Sequence, residues 1–225
     1  MCRLALLNKK GIEYIEKNYG LEKFFSYLER QLGGHGNGYA LISKGGKIVR
    51  IRKGTDVDSR SIADDILHNE LGIEFEWVIF HTRLASVGSI CSANCHPFWG
   101  DNNGEMALLC ANGTEHFDYR VLMAQKNGMT DTETVLRSAL ERHENLLKFV
   151  ESLTAVYLGV YDHKIFAVRN YGSLYRLDTP NGGVVLASAF PYGLGLAKPC
   201  DKYIVSLQGW YTQEDGKVYP HGQVS

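Results

Sequence analysis

The chain has 225 residues, 44% of them hydrophobic, and a formal net charge of −1. That is enough apolar material for one sizeable core and suits a single domain over residues 1–225. The charge balance argues against nucleic acid or a membrane surface as partner, and no apolar stretch approaches the roughly eighteen residues of a membrane span.

Met1-Cys2-Arg3 opens the chain. Residues 3 to 8 are apolar enough for a buried strand, and Gly11 to Gly20 is mixed and reads as a short helical turn. Leu21, Phe24, Phe25, Leu28 and Leu32 recur at helical spacing. Four glycines between Gly33 and Gly38 end that helix, either as a flexible turn or where backbone must come close to something. Tyr39 to Ser43 and Lys47 to Ile51 read as a hairpin across Lys44-Gly45-Gly46.

Ser59 to Leu71 reads as a second amphipathic helix and Phe75 to Phe80 as a buried strand running into His81-Thr82-Arg83. A polar loop carries Ala93 to Phe98. Met106 to Ala111 is a strand ending in Asn112-Gly113, and Phe117 to Lys126 looks helical. Thr130 to Glu133 opens a long helix to about Leu153. Ala155 to Tyr161, Lys164 to Arg169, Ser173 to Leu177 and Gly183 to Ser188 have the spacing of an antiparallel meander. Tyr203 to Leu207 and a hairpin around Glu214-Asp215-Gly216 close the chain. Strands, a block of helices, then strands again suggest an α+β fold of two antiparallel sheets with helices outside.

Five cysteines (Cys2, Cys91, Cys95, Cys110 and Cys200) in irregular spacing argue against a disulfide framework, and no signal peptide is recognisable. A reduced, cytoplasmic setting is expected, and it suits a free thiol. Removal of Met1 by an aminopeptidase would leave Cys2 with a free α-amine. An α-amine titrates at about 7.7–8.0 and a thiol at about 8.5, so proton transfer between them is nearly balanced. Read alone, Cys2 is more simply a small residue at the start of a strand.

Arg83, at a strand end, can grip a carboxylate with two parallel hydrogen bonds, or it can sit in a surface ion pair. The Asn112 side-chain amide and the Gly113 N–H make a pair of oxyanion donors, or a type I′ turn. Asp131 supplies a carboxylate, or with Thr130 and Glu133 it starts a helix. Asn37 and Gly38 could lie beside the thiol. His81 and His96, in apolar settings, read as hydrogen-bonded structural groups rather than half of a Cys–His dyad, and His35 as a turn residue. Cys91, Cys95 and His96 match no zinc spacing, so no metal is expected.

Together, Met-Cys-Arg-Leu at the start, His35-x-Asn37-Gly38-Tyr39, His81-Thr82-Arg83-x-Ala85-Ser86-x-Gly88, Asn94-x-His96-Pro97, Asn112-Gly113 and Asp131-Thr132-Glu133 resemble the glutaminase domain of class II glutamine amidotransferases, most closely its short free-standing members. Ile165 to Asn170 with Leu174-Tyr175 resembles a later strand pair, so the resemblance runs from Cys2 to about Ser188. It implies the four-layer αββα sandwich of N-terminal nucleophile (Ntn) hydrolases and no cofactor. It implies Cys2 as nucleophile with its own α-amine as base, and Asn112 and Gly113 as the oxyanion hole. Arg83 would bind the substrate α-carboxylate and Asp131 the α-ammonium, with Ser86 and Gly38 lining the substrate site.

The implied substrate is L-glutamine, with ammonia passed to a separate synthase subunit. The alternatives are a larger γ-glutamyl amide or a non-catalytic member of the fold. Ser86 replaces a usual Thr, Asn37 a usual Asp, and Ala189-Phe190 stands where an acidic residue is common.

Overall fold

A computed structural model of the protein describes residues 2–102, 104–115, 126–206, 209–214 and 217–221. Among these the chain forms two seven-stranded antiparallel sheets with helices on their outer faces. The first sheet has the order β11-β9-β10-β1-β4-β2-β3. Its strands are β1 (Arg3–Asn8), β2 (Asn37–Ile42), β3 (Ile48–Gly54), β4 (Trp77–Thr82), β9 (Tyr175–Asp178), β10 (Val184–Ala187) and β11 (Lys198–Pro199). The second has the order β14-β13-β12-β8-β7-β6-β5. It holds β5 (Phe98–Asn102), β6 (Glu105–Asn112), β7 (Val156–Tyr161), β8 (Lys164–Arg169), β12 (Lys202–Ser206), β13 (Gly209–Glu214) and β14 (Lys217–His221).

Helices α1 (Lys9–Asn18), α2 (Leu21–Leu32) and α3 (Ser59–His68) cover the first sheet, and α4 (Asp131–Glu141) and α5 (Leu146–Glu151) cover the second. Strand parity builds the layers, because alternate residues face opposite sides of a strand. On β1, Ala5 and Leu7 pack under the helices with Phe24, Phe25 and Phe80. Leu4 and Leu6 face the other way and meet Leu108, Cys110 and Leu158 of the second sheet. The outer face of that sheet packs Leu109, Ala111 and Tyr157 on Val135, Leu136 and Val150. The architecture is the αββα sandwich expected from the resemblance.

Several elements differ from expectation. The mixed stretch after β1 is a full helix, α1, because Asn8 caps it by accepting the Gly11 N–H at 2.8 Å. The expected helix from residue 130 to 153 is two helices: the chain turns at His143 (φ 53°), and Asn145 caps α5. The polar loop after β4 ends in a strand, β5. The expected meander is divided, with β7 and β8 in one sheet and β9 and β10 in the other. The helix expected over Phe117 to Lys126 lies, except for its last residue, outside the described residues.

Candidate active site

Cys2 continues the even-numbered row of β1 into the seam between the sheets, and Asn112 ends the matching row of β6, after Leu108 and Cys110. The facing sheets therefore bring together residues 110 positions apart: the Cys2 N–H donates to Asn112 Oδ1 at 2.9 Å. β1 pairs with β4 from Arg3 onward and with β10 from Ala5 onward, and the Ser188 N–H donates to the Leu4 carbonyl. The thiol is buried; Leu84 N–H donates to its Sγ at 3.4 Å, and the Leu84 carbonyl lies 3.6 Å away. Burial pushes the thiol pKa up, while the Leu84 N–H and the Arg83 charge pull it down.

Arg83 follows β4 directly and is only 2% exposed. Its guanidinium donates to the carbonyls of Val87 at 2.7 Å and Ser89 at 2.8 Å, closing the loop after β4 on itself. No carboxylate pairs with it among the described residues. A buried cation held only by neutral carbonyls is a strong attractor for an anion. The glycine-rich turn braces its backbone: Arg83 N–H donates to the Gly36 carbonyl at 2.8 Å, and His35 N–H to the Arg83 carbonyl at 2.9 Å. His35 Nδ1 also accepts the Ala85 N–H at 2.9 Å, which makes His35 a turn residue.

Asn112 Oδ1 is occupied by Cys2 N–H, which leaves the amide NH₂ as its donor. Gly113 has φ +153°, and a Cβ there would fall 2.6 Å from Ala155 Cβ, so only glycine fits behind Asn112. Ser86 Oγ lies 3.0 Å from Thr114 Oγ1 and ties the Arg83 loop to the loop after β6.

Asp131 is the first residue of α4, beside the cap Thr130, whose Oγ1 accepts the Glu133 N–H. Its Oδ2 accepts Glu115 N–H at 2.7 Å. Burial holds the Asp131 carboxyl above its ordinary pKa; N–H bonds from Glu115 and Thr132 act against this, and the Glu115 charge adds to it.

Sequence reasoning missed Glu115. It is 2% exposed, and its carboxylate accepts Thr154 N–H at 2.7 Å, Thr154 Oγ1–H at 3.0 Å and the Tyr157 hydroxyl at 2.7 Å. It thereby locks the stretch after Gly113 to the start of β7. A charged residue two positions after Asn112-Gly113 was the only available signal.

His81 and His96 stack at 3.9 Å and clamp the sheets together through one residue of β6. His81 Nε2 lies 3.0 Å from the Ala111 carbonyl, and His96 Nδ1 accepts the Ala111 N–H at 3.3 Å. Burial pushes His81 down to about 3. His96 is also held well below its usual value, by burial and then by its neighbour His81. Both are neutral structural groups, and the hydrogen-bond partners of the thiol are backbone atoms of Leu84 instead.

Gly38 sits on β2 opposite His81, which in turn is opposite Leu4, so it lies two strands from β1. A Cβ there would fall 2.1 Å from the His96 carbonyl oxygen, which makes Gly38 a packing position under the histidine clamp. The Asn37 amide points to the helix layer, donating to Glu29 at 3.0 Å and to the Val57 carbonyl at 2.8 Å. The contacts above link Cys2, Arg83, Ser86, Asn112, Gly113 and Asp131 or their chain neighbours at one end of the sandwich, and Gly38 lies on β2 two residues after Gly36, whose carbonyl accepts the Arg83 N–H. Among the described residues no cluster of His, Cys, Asp or Glu could hold a metal ion, and no helix is long and apolar enough to cross a membrane.

The sequence profile of the family described as "Glutamine amidotransferases class-II" matches residues 23–158. In sequence, no curated protein matches the chain. The structure titled as the allosteric regulatory enzyme of purine biosynthesis is similar over 100% of this chain and 49% of its own, at 14% identity and TM-score 0.59. Glutamine phosphoribosylpyrophosphate amidotransferase from B. subtilis gives 15% identity and TM-score 0.58, again over 100% of this chain and 49% of its own. The chain thus spans about half the length of these two structures. A class-II domain protein from Silicibacter pomeroyi, at 12% identity and TM-score 0.51, is similar over 98% of this chain and 100% of its own.

Proposed function

The chain belongs to the class II glutamine amidotransferases, and from that premise we propose that it cleaves the γ-amide of L-glutamine through a Cys2 thioester. With Met1 removed, the Cys2 α-amine takes the thiol proton, and the thiolate attacks the amide carbon. The Asn112 NH₂ and the Gly113 N–H hold the oxyanion, while Asn112 Oδ1 keeps the amine in place. As the carbon–nitrogen bond breaks, the ammonium returns its proton and ammonia leaves. Water then attacks the thioester, releasing glutamate and the thiol. Arg83 exchanges its carbonyl partners for the substrate α-carboxylate, and Asp131 receives the α-ammonium.

The observation that carries this reading is the 2.9 Å bond from Cys2 N–H to Asn112 Oδ1. It supports the reading because it joins the residue proposed as nucleophile and base to the residue proposed as oxyanion donor. The ammonia released would serve an acceptor enzyme on a separate chain. The test is glutamate release from L-glutamine, with intact mass recorded on the same sample and Cys2→Ala as control. Release confined to wild-type protein lacking Met1 is expected. Equal release by Cys2→Ala would overturn the mechanism, and turnover only of larger γ-glutamyl amides would move the substrate to that class.

A further inference from the structure

The segment that closes the Arg83 loop carries two thiols for which the proposed reaction has no use. Cys91 and Cys95 flank a single 3₁₀ turn, Ser92–Asn94. Cys91 is half-exposed, with its Sγ 3.6 Å from Ser89 Oγ. Cys95 is fully buried on the inner side of the turn, and its Sγ donates to the Cys91 carbonyl oxygen at 3.6 Å. One thiol therefore faces solvent while the other points at the backbone of the first.

Their electrostatics differ in the same sense. The Ser89 hydroxyl, followed by the Asn94 N–H, lowers the Cys91 pKa, and burial raises that of Cys95. An accessible thiol of lowered pKa beside a buried thiol of raised pKa is the usual division between an attacking and a resolving cysteine.

We propose that Cys91 and Cys95 are a peroxide-oxidisable pair whose disulfide loosens the loop that holds Arg83. The Cys91 thiolate attacks a peroxide oxygen, the O–O bond breaks, and Cys91 becomes a sulfenic acid as hydroxide leaves and is protonated to water. The Cys95 thiol then attacks the sulfenic sulfur. The S–S bond forms, the S–O bond breaks, and a second water leaves with the Cys95 proton. In sum, two thiols and one hydrogen peroxide give a disulfide and two waters.

The coupling runs through Ser89. Its carbonyl accepts both Arg83 Nη1 at 2.8 Å and Asn94 Nδ2 at 3.0 Å, and its hydroxyl touches both Cys91 Sγ and Asn94 Nδ2. Bringing the sulfurs to about 2.05 Å turns the Cys91 side chain inward and takes it off Ser89. That weakens one end of the loop whose carbonyls now occupy the guanidinium. Any consequence for substrate rests on the glutamine reading of Arg83, but the oxidation and the loosening do not.

The experiment therefore uses Cys2→Ala protein, which lacks the proposed nucleophile. Hydrogen peroxide should remove two hydrogens from the intact mass, reversibly with dithiothreitol, and peptide analysis should join Cys91 to Cys95. Adding Cys95→Ser should leave a Cys91 sulfenic acid that dimedone traps; adding Cys91→Ser should abolish both products. In the oxidised protein the Ser89 amide, which donates to the Gly128 carbonyl at 3.3 Å, should exchange with deuterium at least several-fold faster. No disulfide, or one joining other cysteines, overturns the pair. Unchanged exchange at residues 87–89 in the oxidised protein overturns the coupling.

Discussion

At the scale of single residues, the proposed oxyanion role of Asn112 is separable from that of the thiol. Asn112→Ala should lower kcat by about 10²–10³, with the Cys2 thiol still alkylated by iodoacetamide. Wild-type kcat in that variant would remove Asn112 from the chemistry. Asp131 gives a pH test. Burial raises its carboxyl pKa, so the carboxylate is lost earlier in acid than an exposed one. KM for glutamine should rise as pH falls through that raised value, and Asp131→Asn should show a high KM that no longer varies with pH in this range. These residues were legible because each is a chemical type placed at the end of a strand or helix. Glu115 and the Ala111 contacts of the histidines were not. Their roles come from partners 39 and 42 positions away for Glu115, and 30 and 15 positions away for Ala111, and residue spacing carries no record of such contacts.

At the scale of elements, α2 was readable to its end residues because its apolar stripe is regular, whereas α1 was obscured by Gly11. The structure explains that glycine: a Cβ on it would fall 2.4 Å from the Val184 carbonyl oxygen. Helix α1 thus packs close against β10. Gly11→Ala gains up to about 1 kcal/mol in helix propensity, but overpacking against fixed backbone costs about 1–3 kcal/mol. The steric term wins, and the variant should unfold at lower urea than wild type; an unchanged or higher midpoint would contradict the close approach. The break between α4 and α5 was missed for a related reason. Apolar periodicity continues through Leu140, Leu147 and Val150, while the cap at Asn145 is a local signal inside that pattern.

At the scale of the whole molecule, two sheets were legible from the order of strands, then helices, then strands, but their membership was not. Strand pairing depends on which edges meet, and neighbouring hairpins of similar pattern can join either sheet. What joins the sheets near the site is the neutral His81–His96 clamp, which has a stability consequence. Both folded-state pKa values lie below the unfolded value of about 6.5, so below that pH the unfolded chain binds two protons that the folded one refuses. Their contribution is present in full above about pH 6.5 and is lost as pH falls below it, at about 3 kcal/mol per pH unit where both unfolded imidazoles are charged and both folded ones are neutral. Asp131, with its pKa raised, works in the opposite sense but releases only one proton. Urea midpoints should therefore drop steeply between about pH 6 and 4.5, and a flat profile would contradict the clamp. The position of β1 sets a further condition, on synthesis. Its partner β4 ends at Thr82, but its other partner, β10, ends only at Ala187. β1 thus precedes both partners in the chain and is enclosed only once β10 has followed, so on the proposed reading the Cys2 amine has to be freed before then. Met1 excision should accordingly keep pace with translation. Protein made without aminopeptidase activity and allowed to fold should resist later trimming, whereas the same protein unfolded in urea and diluted into the enzyme should be trimmed.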